Sequence, residues 1–350
     1  MDQPERDQEH GTDPFSPSHT RSGRVYLAEK FPKIIEPTTL AEAMESPQRE
    51  EWLQGMQEEV NALKEQGTWE LGRAPPGEKI LPAKWVFKAK LAMDGSVERF
   101  KARLVAGGHR QGDGIDFAEV FSPVGKHGTL RALLARAASE DWELGAVDIS
   151  NAFLNGYLAI PVYMQQPPGF SDGDPFMVCK LLKTLYGLKQ APREWFNVLN
   201  EALTGLGLKQ SSSDQALWTG GKNNDLYILS WVDDLIIASP SKASLDEFKR
   251  DLLTKFKGRD LGDVDKYLNI KITRDRAART VKVSQPRHTE ELLERFNMAN
   301  SKSKSVPLPS GANTSKHMAG DRAMEDPARY AQCVGALLYI VCTTRPDLAV

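Results

Sequence analysis

The stretch Leu226-Tyr-Ile-Leu-Ser-Trp-Val-Asp-Asp-Leu-Ile-Ile-Ala-Ser239 joins two apolar, β-rich runs through two adjacent aspartates, Asp233 and Asp234. Such runs predict the two strands of a hairpin with both carboxylates at its tip. Neighbouring carboxylates repel and raise each other's pKa unless a positive charge lies between them, and a divalent cation is the usual partner. The pair therefore predicts half of a metal site. An acidic hairpin turn is the alternative, because Asp is a common turn residue.

A third aspartate strengthens the metal interpretation. Asp148 ends the apolar run Trp142-Glu-Leu-Gly-Ala-Val-Asp148, about 85 residues upstream of the pair. Carboxylates at the ends of two adjacent strands can hold two Mg²⁺ ions about 4 Å apart, one activating a 3′-hydroxyl and the other steadying the leaving pyrophosphate. This arrangement is typical of the palm of a polymerase. A strand-end Asp alone is often only a turn former or helix cap, so the prediction depends on the combination.

Further sequence blocks accompany these aspartates in a fixed order along the chain. They are Lys84-Trp-Val-Phe-Lys-Ala-Lys90, Arg99-Phe-Lys-Ala-Arg-Leu-Val-Ala-Gly-Gly-His-Arg-Gln111, Phe117-Ala-Glu-Val-Phe-Ser-Pro-Val124, Val162-Tyr-Met-Gln-Gln-Pro-Pro-Gly-Phe170, Leu182-Lys-Thr-Leu-Tyr-Gly-Leu-Lys-Gln-Ala-Pro-Arg-Glu-Trp195, Asp260-Leu-Gly-Asp-Val-Asp-Lys-Tyr-Leu268 and Val334-Gly-Ala-Leu-Leu-Tyr-Ile340 with Thr344-Arg-Pro-Asp347. Together they resemble the reverse transcriptases of copia-type long-terminal-repeat retrotransposons. The resemblance covers nearly everything after about residue 35. It implies a fragment of the Pol polyprotein that lacks integrase and RNase H.

The resemblance implies an α+β fold with the right-hand architecture of polymerases: fingers, palm and thumb, with an antiparallel palm sheet backed by helices. We expect residues 1–35 to be an acidic, disordered segment and residues 36–78 to be a helical lead-in. Residues 79–300 would form the fingers, the palm and the start of the thumb. Residues 301–350 would be a linker and a terminal helix that leads towards the missing RNase H domain.

Local patterns predict individual elements within this frame. Apolar spacing predicts two helices in residues 39–66, parted near Ser46-Pro47 and ended by Gly67. A hairpin with its turn at Asp94-Gly95 is predicted for residues 79–107. By resemblance, residues 261–272 would form a hairpin that grips the primer, and residues 300–320 a flexible link. Further helices are predicted over residues 127–140, 192–206, 244–256, 288–296 and 330–342.

The resemblance also assigns the roles of the three aspartates and of one aromatic residue. Asp148, Asp233 and Asp234 would be the catalytic carboxylates and would bind two Mg²⁺ ions, with Mn²⁺ as an alternative. Phe153, five residues after Asp148, would lie under the sugar of the incoming nucleotide and exclude a 2′-hydroxyl. From sequence alone, a core phenylalanine is the alternative for Phe153.

Three polar residues would bind the nucleotide. Gln190, in the segment Leu188-Lys-Gln-Ala-Pro192, matches the family's glutamine that touches the nucleotide. Lys101 and Arg103 are our choices for the triphosphate, because charge on the phosphates in the transition state requires fixed cations as well as metal. Lys90 remains an alternative for the same contact.

The composition is consistent with a polymerase that binds nucleic acid, although composition alone would not identify this function. The chain has 350 residues, 40% of them hydrophobic, and a net charge of −2. Residues 79–110 contain eight Lys and Arg against two acids, whereas residues 1–72 contain fifteen acids against seven bases. A local basic block of this kind is suited to phosphates, although a solvated charged hairpin is the alternative. The three cysteines and six histidines have no zinc-binding spacing.

The expected partners are an RNA template, a DNA or RNA primer and dNTPs, with the oligomeric state left open. No apolar run approaches the 18 or so residues of a membrane span, so no membrane association is expected. The resemblance implies an intracellular, cytoplasmic protein of a virus-like particle, with access to the nucleus. One departure stands out: Trp231 occupies a position where the family usually has Tyr. A catalytically silent remnant that keeps the polymerase fold and binds RNA is therefore the alternative function.

Overall fold

The helices lie where the apolar spacing predicts them. The computed structural model describes residues 34–91, 96–112, 114, 116–117, 119–174, 176–304, 306, 311 and 326–349. The helices are α1 (Leu40–Glu45), α2 (Arg49–Glu65), α3 (His127–Ser139), α4 (Ala191–Gly205), α5 (Lys242–Lys255), α6 (Pro286–Arg295) and α7 (Pro327–Thr343). Each predicted helix is confirmed to within a few residues, and Gly67 follows α2 in the left-handed conformation, with φ of 60°. In the described ranges no helix has both the length and the apolarity needed to cross a membrane.

The strands are β1 (Trp69–Gly72), β2 (Ile80–Leu81), β3 (Ala83–Leu91), β4 (Val97–Ala106), β5 (Glu143–Ile149), β6 (Tyr157–Met164), β7 (Val178–Lys183), β8 (Leu208–Gln210), β9 (Leu217–Gly220), β10 (Leu226–Trp231), β11 (Asp234–Ser239), β12 (Gly258–Gly262), β13 (Lys266–Tyr267), β14 (Ile270–Asp275) and β15 (Thr280–Ser284). The predicted β3–β4 hairpin is confirmed, whereas its Asp94-Gly95 turn lies outside the described residues. The predicted disorder of residues 1–35 falls almost wholly outside them, as does most of the predicted link.

The chain divides into two compact units, each made of two segments. The first unit comprises Met1–Val120 and Gly156–Glu194, and the second comprises Phe121–Asn155 and Trp195–Val350. The domain boundaries predicted at residues 35, 78 and 300 stay predictions.

In the first unit, a two-stranded ribbon packs on a helix. Strands β3 and β4 pair in antiparallel fashion, and one face of the ribbon lies against α2. The Trp52 ring of α2 meets Phe87 and Phe100 edge-on, with centroid distances of 5.3 and 4.7 Å. A separate sheet of the same unit has the strand order β1-β7-β6-β2. The aromatic contacts give the ribbon a buried face, which leaves its other face for polar side chains.

In the second unit, a six-stranded antiparallel sheet has the order β12-β5-β11-β10-β9-β8. One face buries residues such as Val147, Ile237 and Trp218 against α4 and α5. The opposite face packs Leu144 and Ile236 with residues of α3 and of the three-stranded sheet β13-β14-β15. The predicted α+β class, with an antiparallel sheet backed by helices, is confirmed.

One predicted element is wrong in its extent. Residues 261–272 were expected to form a single hairpin, but Leu261 and Gly262 belong to β12 at the edge of the six-stranded sheet. The pairing of β12 is irregular between Asp260 and Gly262, and Gly262 has a φ of 74°. This bulge takes the chain out of the sheet, so that the hairpin itself begins only at β13.

Candidate active site

Four residues form a row across adjacent strands at one end of the six-stranded sheet. Asp148 of β5 lies directly opposite Asp234 of β11. On the outer sides of this pair, Arg259 of β12 lies opposite Asp148, and Trp231 of β10 lies opposite Asp234. Directly opposed residues project from the same face with Cβ atoms about 5 Å apart. We call these residues the cross-strand row. Asp148 and Asp234 are therefore neighbours, as the sequence predicted.

The third aspartate lies in the tight turn of the β10–β11 hairpin. Val232 and Asp233 form this two-residue turn, and Val232 has a φ of 57°. A β-branched residue rarely adopts this left-handed conformation, which costs about 1–3 kcal/mol. The turn is held from both sides: Trp195 Nε1 donates to the Val232 carbonyl at 2.7 Å, and the Ile149 amide donates to the Asp233 carbonyl at 2.9 Å. These bonds fix Asp233 beside Asp234.

The carboxylates of the site repel one another. Burial, followed by the charges of Asp233 and Asp148, raises the pKa of Asp234 to about 6. Tyr267 donates its hydroxyl to the Asp234 carbonyl oxygen at 3.4 Å. Burial, followed by the charges of Asp234 and Asp233, raises the pKa of this phenol. One cation partly offsets the negative charge, because Arg259 Nη2 lies 3.0 Å from Asp148 Oδ2.

These residues suit a divalent cation chemically. Within the described ranges, no three or more His, Cys, Asp and Glu side chains are already arranged as a metal centre. Carboxylate oxygens are nevertheless the ligands that Mg²⁺ prefers, and the repulsion that acts on Asp234 is the kind that a cation relieves. The residues that would hold this cation are Asp148, Asp233 and Asp234. Asp148 would then give up its contact with Arg259 in favour of the metal ion.

Phe153 lies in the same unit as the aspartates. It belongs to a short 3-10 turn, Ala152–Asn155, which follows β5 after Asn151, a residue with a φ of 54°. The Phe153 ring is partly buried against the core formed with α4 and α5. A half-buried ring is compatible both with a sugar contact and with a core role, so selection of the sugar by Phe153 stays a prediction.

Lys101 and Arg103 lie on the ribbon of the first unit. Both project from the face of β4 opposite to Ala102 and Leu104, which are buried. Burial, and then the positive charges of Arg103 and Lys90, lower the pKa of Lys101. The Arg103 guanidinium lies 4.8 Å from the centroid of the Tyr186 ring. The alternation of β3 and β4 places further cations on the same face, which we call the basic face: Lys84, Lys88, Lys90, Arg99, Lys101 and Arg103.

Gln190 is engaged within the first unit. It is 5% exposed, and its Oε1 accepts from Gln111 Nε2 at 3.0 Å. Its Nε2 donates to the Asp116 carbonyl at 3.3 Å. Both ends of the side chain are thus engaged, one by Gln111 and the other by Asp116. A nucleotide contact through Gln190 would require one of these hydrogen bonds to open, and this predicted role stays a prediction.

Two of the sequence blocks meet through glycines. The Ala106 amide donates to the Tyr186 carbonyl at 2.8 Å, and Gly187 has a φ of 92°. A Cβ on Gly187 would overlap the Ala106 carbonyl, and one on Gly108 would overlap the Gly187 carbonyl. Only glycine permits this backbone contact. The contact explains why both blocks carry Gly at these positions.

Comparison with known proteins identifies the family of the chain. The family model described as "Reverse transcriptase (RNA-dependent DNA polymerase)" matches residues 66–310. The chain belongs to the reverse transcriptase family. It is 40% identical to the retrovirus-related Pol polyprotein from transposon TNT 1-94 of Nicotiana tabacum, over 90% of this chain and 24% of that protein. It is 38% identical to the corresponding polyprotein from transposon RE1 of Arabidopsis thaliana, over 92% of this chain and 22% of that protein.

This reverse transcriptase chain therefore spans about a quarter, or less, of the curated relatives that it matches. The predicted copia-type resemblance is confirmed. Among solved structures, the chain is similar to a foamy viral protease-reverse transcriptase in complex with double-stranded DNA, with a TM-score of 0.38 and 12% identity. That match covers 82% of this chain and 40% of the other.

The sequence of this reverse transcriptase did not reveal three residues around the aspartates. Arg259 and Tyr267 were missed as neighbours of Asp148 and Asp234, and so was Lys249, whose ammonium supports β12. Arg259 immediately precedes the recognised block that begins at Asp260, which was the only available signal. Its contact depends on the pairing of β12 with β5, more than 100 residues apart, and no local pattern encodes that pairing.

Proposed function

We propose that this chain is an RNA-directed DNA polymerase that adds dNTPs to a primer 3′-hydroxyl on an RNA or DNA template. The observation that carries this proposal is the direct pairing of Asp148 with Asp234, next to Asp233 in a constrained turn. Family membership supplies the context in which this arrangement has a chemical meaning.

The three carboxylates would hold two Mg²⁺ ions, with Mn²⁺ as a substitute. Bound divalent ions supply activation of the 3′-hydroxyl and compensation of charge on the leaving pyrophosphate. The contribution of the chain is to fix the ligands: the β5–β11 register positions Asp148 against Asp234, and the Trp195 and Ile149 hydrogen bonds hold the turn that carries Asp233.

The nucleotide-binding residues complete the proposal. Lys101 and Arg103 would bind the triphosphate, because the basic face concentrates fixed positive charge on one surface of the first unit. Phe153 would exclude a 2′-hydroxyl by contact, and Gln190 would touch the nucleotide once one of its hydrogen bonds, to Gln111 or to Asp116, opens. The corresponding partners are an RNA template, a DNA or RNA primer and dNTPs, in a cytoplasmic virus-like particle with access to the nucleus.

Primer extension by the purified chain tests this function. A DNA primer on an RNA template should be extended with Mg²⁺ or Mn²⁺ and not with EDTA. Asp148→Asn, Asp233→Asn and Asp234→Asn should each reduce extension by more than about 100-fold, because each removes a charge that the metal requires. Asp246→Asn is the matched control, since its carboxylate only makes an exposed pair with Lys242.

Two outcomes would contradict the proposal. If a folded aspartate variant extends the primer like the wild type, that residue is not a metal ligand. If neither the wild type nor Trp231→Tyr extends the primer with Mg²⁺ or with Mn²⁺, the chain is a catalytically silent remnant. Trp231→Tyr restores the side chain that is usual in the family at the position opposite Asp234. A failure of this variant therefore cannot be attributed to the tryptophan.

A further inference from the structure

Arg259 is the cation of the cross-strand row. It lies opposite Asp148 in the β12–β5 register, and its Nη2 is 3.0 Å from Asp148 Oδ2. The Arg259 side chain is 69% exposed, whereas that of Asp148 is 25% exposed. An ion pair of this exposure is weak, so the guanidinium can leave Asp148 at little cost.

The strand that carries Arg259 is held by a buried lysine. Lys249 of α5 is 3% exposed, and its Nζ lies 2.6 Å from Asp260 Oδ1 and 3.2 Å from the Gly262 carbonyl. The Lys249 side chain passes over Gly145 of β5, where an added Cβ would come within 2.5 Å of Lys249 Cε. A buried ammonium requires such partners, so Lys249 fixes the residues on the C-terminal side of Arg259.

The residues on the N-terminal side of Arg259 are fixed by close backbone contact. A Cβ on Gly258 would lie 2.6 Å from the Asp148 carbonyl oxygen. The Ser150 amide also donates to the Lys257 carbonyl at 2.9 Å. Because both flanks are constrained, the Cα of Arg259 remains beside Asp148 while its long side chain is free to move.

We propose that Arg259 is a resident counter-ion that competes with a divalent cation for Asp148 and so sets the metal concentration at which the site fills. The inference rests on the proposed function, in the part that assigns metal to Asp148. An N–H that occupies a lone pair of Asp148 Oδ2 must leave when a metal ion takes that lone pair, and the positive guanidinium repels a metal ion on any other lone pair of the carboxylate.

Metal binding to the full chain, without nucleic acid or dNTP, tests this proposal independently of activity. Free Mn²⁺ is measured by electron paramagnetic resonance during titration, and Mg²⁺ binding is followed by thermal shift. Arg259→Gln should bind Mn²⁺ about three- to fivefold more tightly, because an exposed pair contributes up to about 1 kcal/mol, which corresponds to about fivefold. Arg259→Lys keeps the charge and should stay within about twofold of the wild type.

Two further variants separate the explanations. Arg250→Gln removes the same charge from an exposed position on α5 and should leave the affinity unchanged. Asp148→Asn should weaken binding. If Arg259→Gln is no tighter while Asp148→Asn is weaker, the competition is refuted and the proposed metal site stands. If Arg250→Gln tightens binding equally, the effect is one of net charge, which also refutes the competition. If Asp148→Asn binds like the wild type, the metal assignment fails and the inference fails with it.

Discussion

Asp234→Asn should abolish polymerase activity and, without metal, stabilise the folded protein. The Asp234 carboxylate is partly buried between two other carboxylates, which raises its pKa to about 6. Its ionised form is thus less favourable in the folded state than in the unfolded chain. An asparagine of nearly the same shape has no charge to accommodate, so it removes this penalty along with the metal ligand.

The structure gives the size of the effect. The ordinary pKa of this carboxyl is 3.8, and burial and repulsion raise it to about 6. One unit of pKa corresponds to about 1.4 kcal/mol, so the full difference corresponds to about 3 kcal/mol. Because Asp234 is partly exposed, solvent screening reduces this figure, and we expect a gain of about 1–2 kcal/mol. For a protein of this size, the melting temperature should rise by about 1–3 °C.

The gain should depend on pH in a defined direction. Between about pH 4 and pH 6 the folded state retains a proton on Asp234 that the unfolded chain releases, so the contribution of Asp234 to wild-type stability falls as the pH rises. The difference between Asp234→Asn and wild type should be small at pH 4, grow up to about pH 6 and stay constant above it.

Urea denaturation in EDTA at pH 4, 5, 6 and 7.5, with parallel primer extension, measures both effects. Asp246→Asn, in an exposed pair with Lys242, should change stability by less than about 1 kcal/mol. Added Mg²⁺ should stabilise the wild type more than Asp234→Asn. The reasoning is refuted if Asp234→Asn is less stable than wild type at pH 7.5, or if its gain does not vary with pH.

Three further predictions concern residues around the aspartates and on the ribbon. Phe153→Val should raise rNTP use relative to dNTP use by about tenfold or more if the ring excludes the 2′-hydroxyl, whereas an unchanged ratio of kcat/KM values would identify a core residue. Lys101→Ala with Arg103→Ala should raise the KM for dNTP about tenfold or more with little change in template affinity, and a loss mainly in template affinity would assign the basic face to the nucleic-acid backbone. Gly258→Ala should reduce extension severalfold in a folded protein, because the added Cβ would lie 2.6 Å from the Asp148 carbonyl oxygen and would push β12 away from β5. Extension at the wild-type rate would show that the close contact between Gly258 and Asp148 is not needed for activity.

Local patterns predicted most elements of the fold. The apolar spacing around Trp52 and Met56 identified α2, and the paired apolar runs around Asp233 identified the β10–β11 hairpin. The three catalytic candidates could be predicted because each lies near the end of an apolar strand, in the turn that follows one, or at the start of one, and strand ends are visible in sequence. All of these features follow from the periodicity of apolar side chains within one element and the elements next to it in the sequence.

The features that escaped prediction depend on distant pairing. Arg259 reaches Asp148 only because β12 pairs with β5, and residues 261–272 were misassigned for the same reason. The left-handed Val232 was also unpredictable, because β-branched residues avoid this conformation unless contacts such as that of Trp195 compensate. Gln190 was predicted to contact the nucleotide, and only the structure shows that Gln111 and Asp116 engage it.

The charges of the site suggest an order in which its ligands bind. Three ionised aspartates carry a charge of −3, so a first divalent cation that displaces Arg259 from Asp148 would leave the site at −1. A second would bring it to +1. Such an excess is unfavourable without a counter-charge and is well matched to a triphosphate. Metal binding without dNTP should therefore approach one ion per chain, and occupancy of two ions before nucleotide addition would contradict this reasoning.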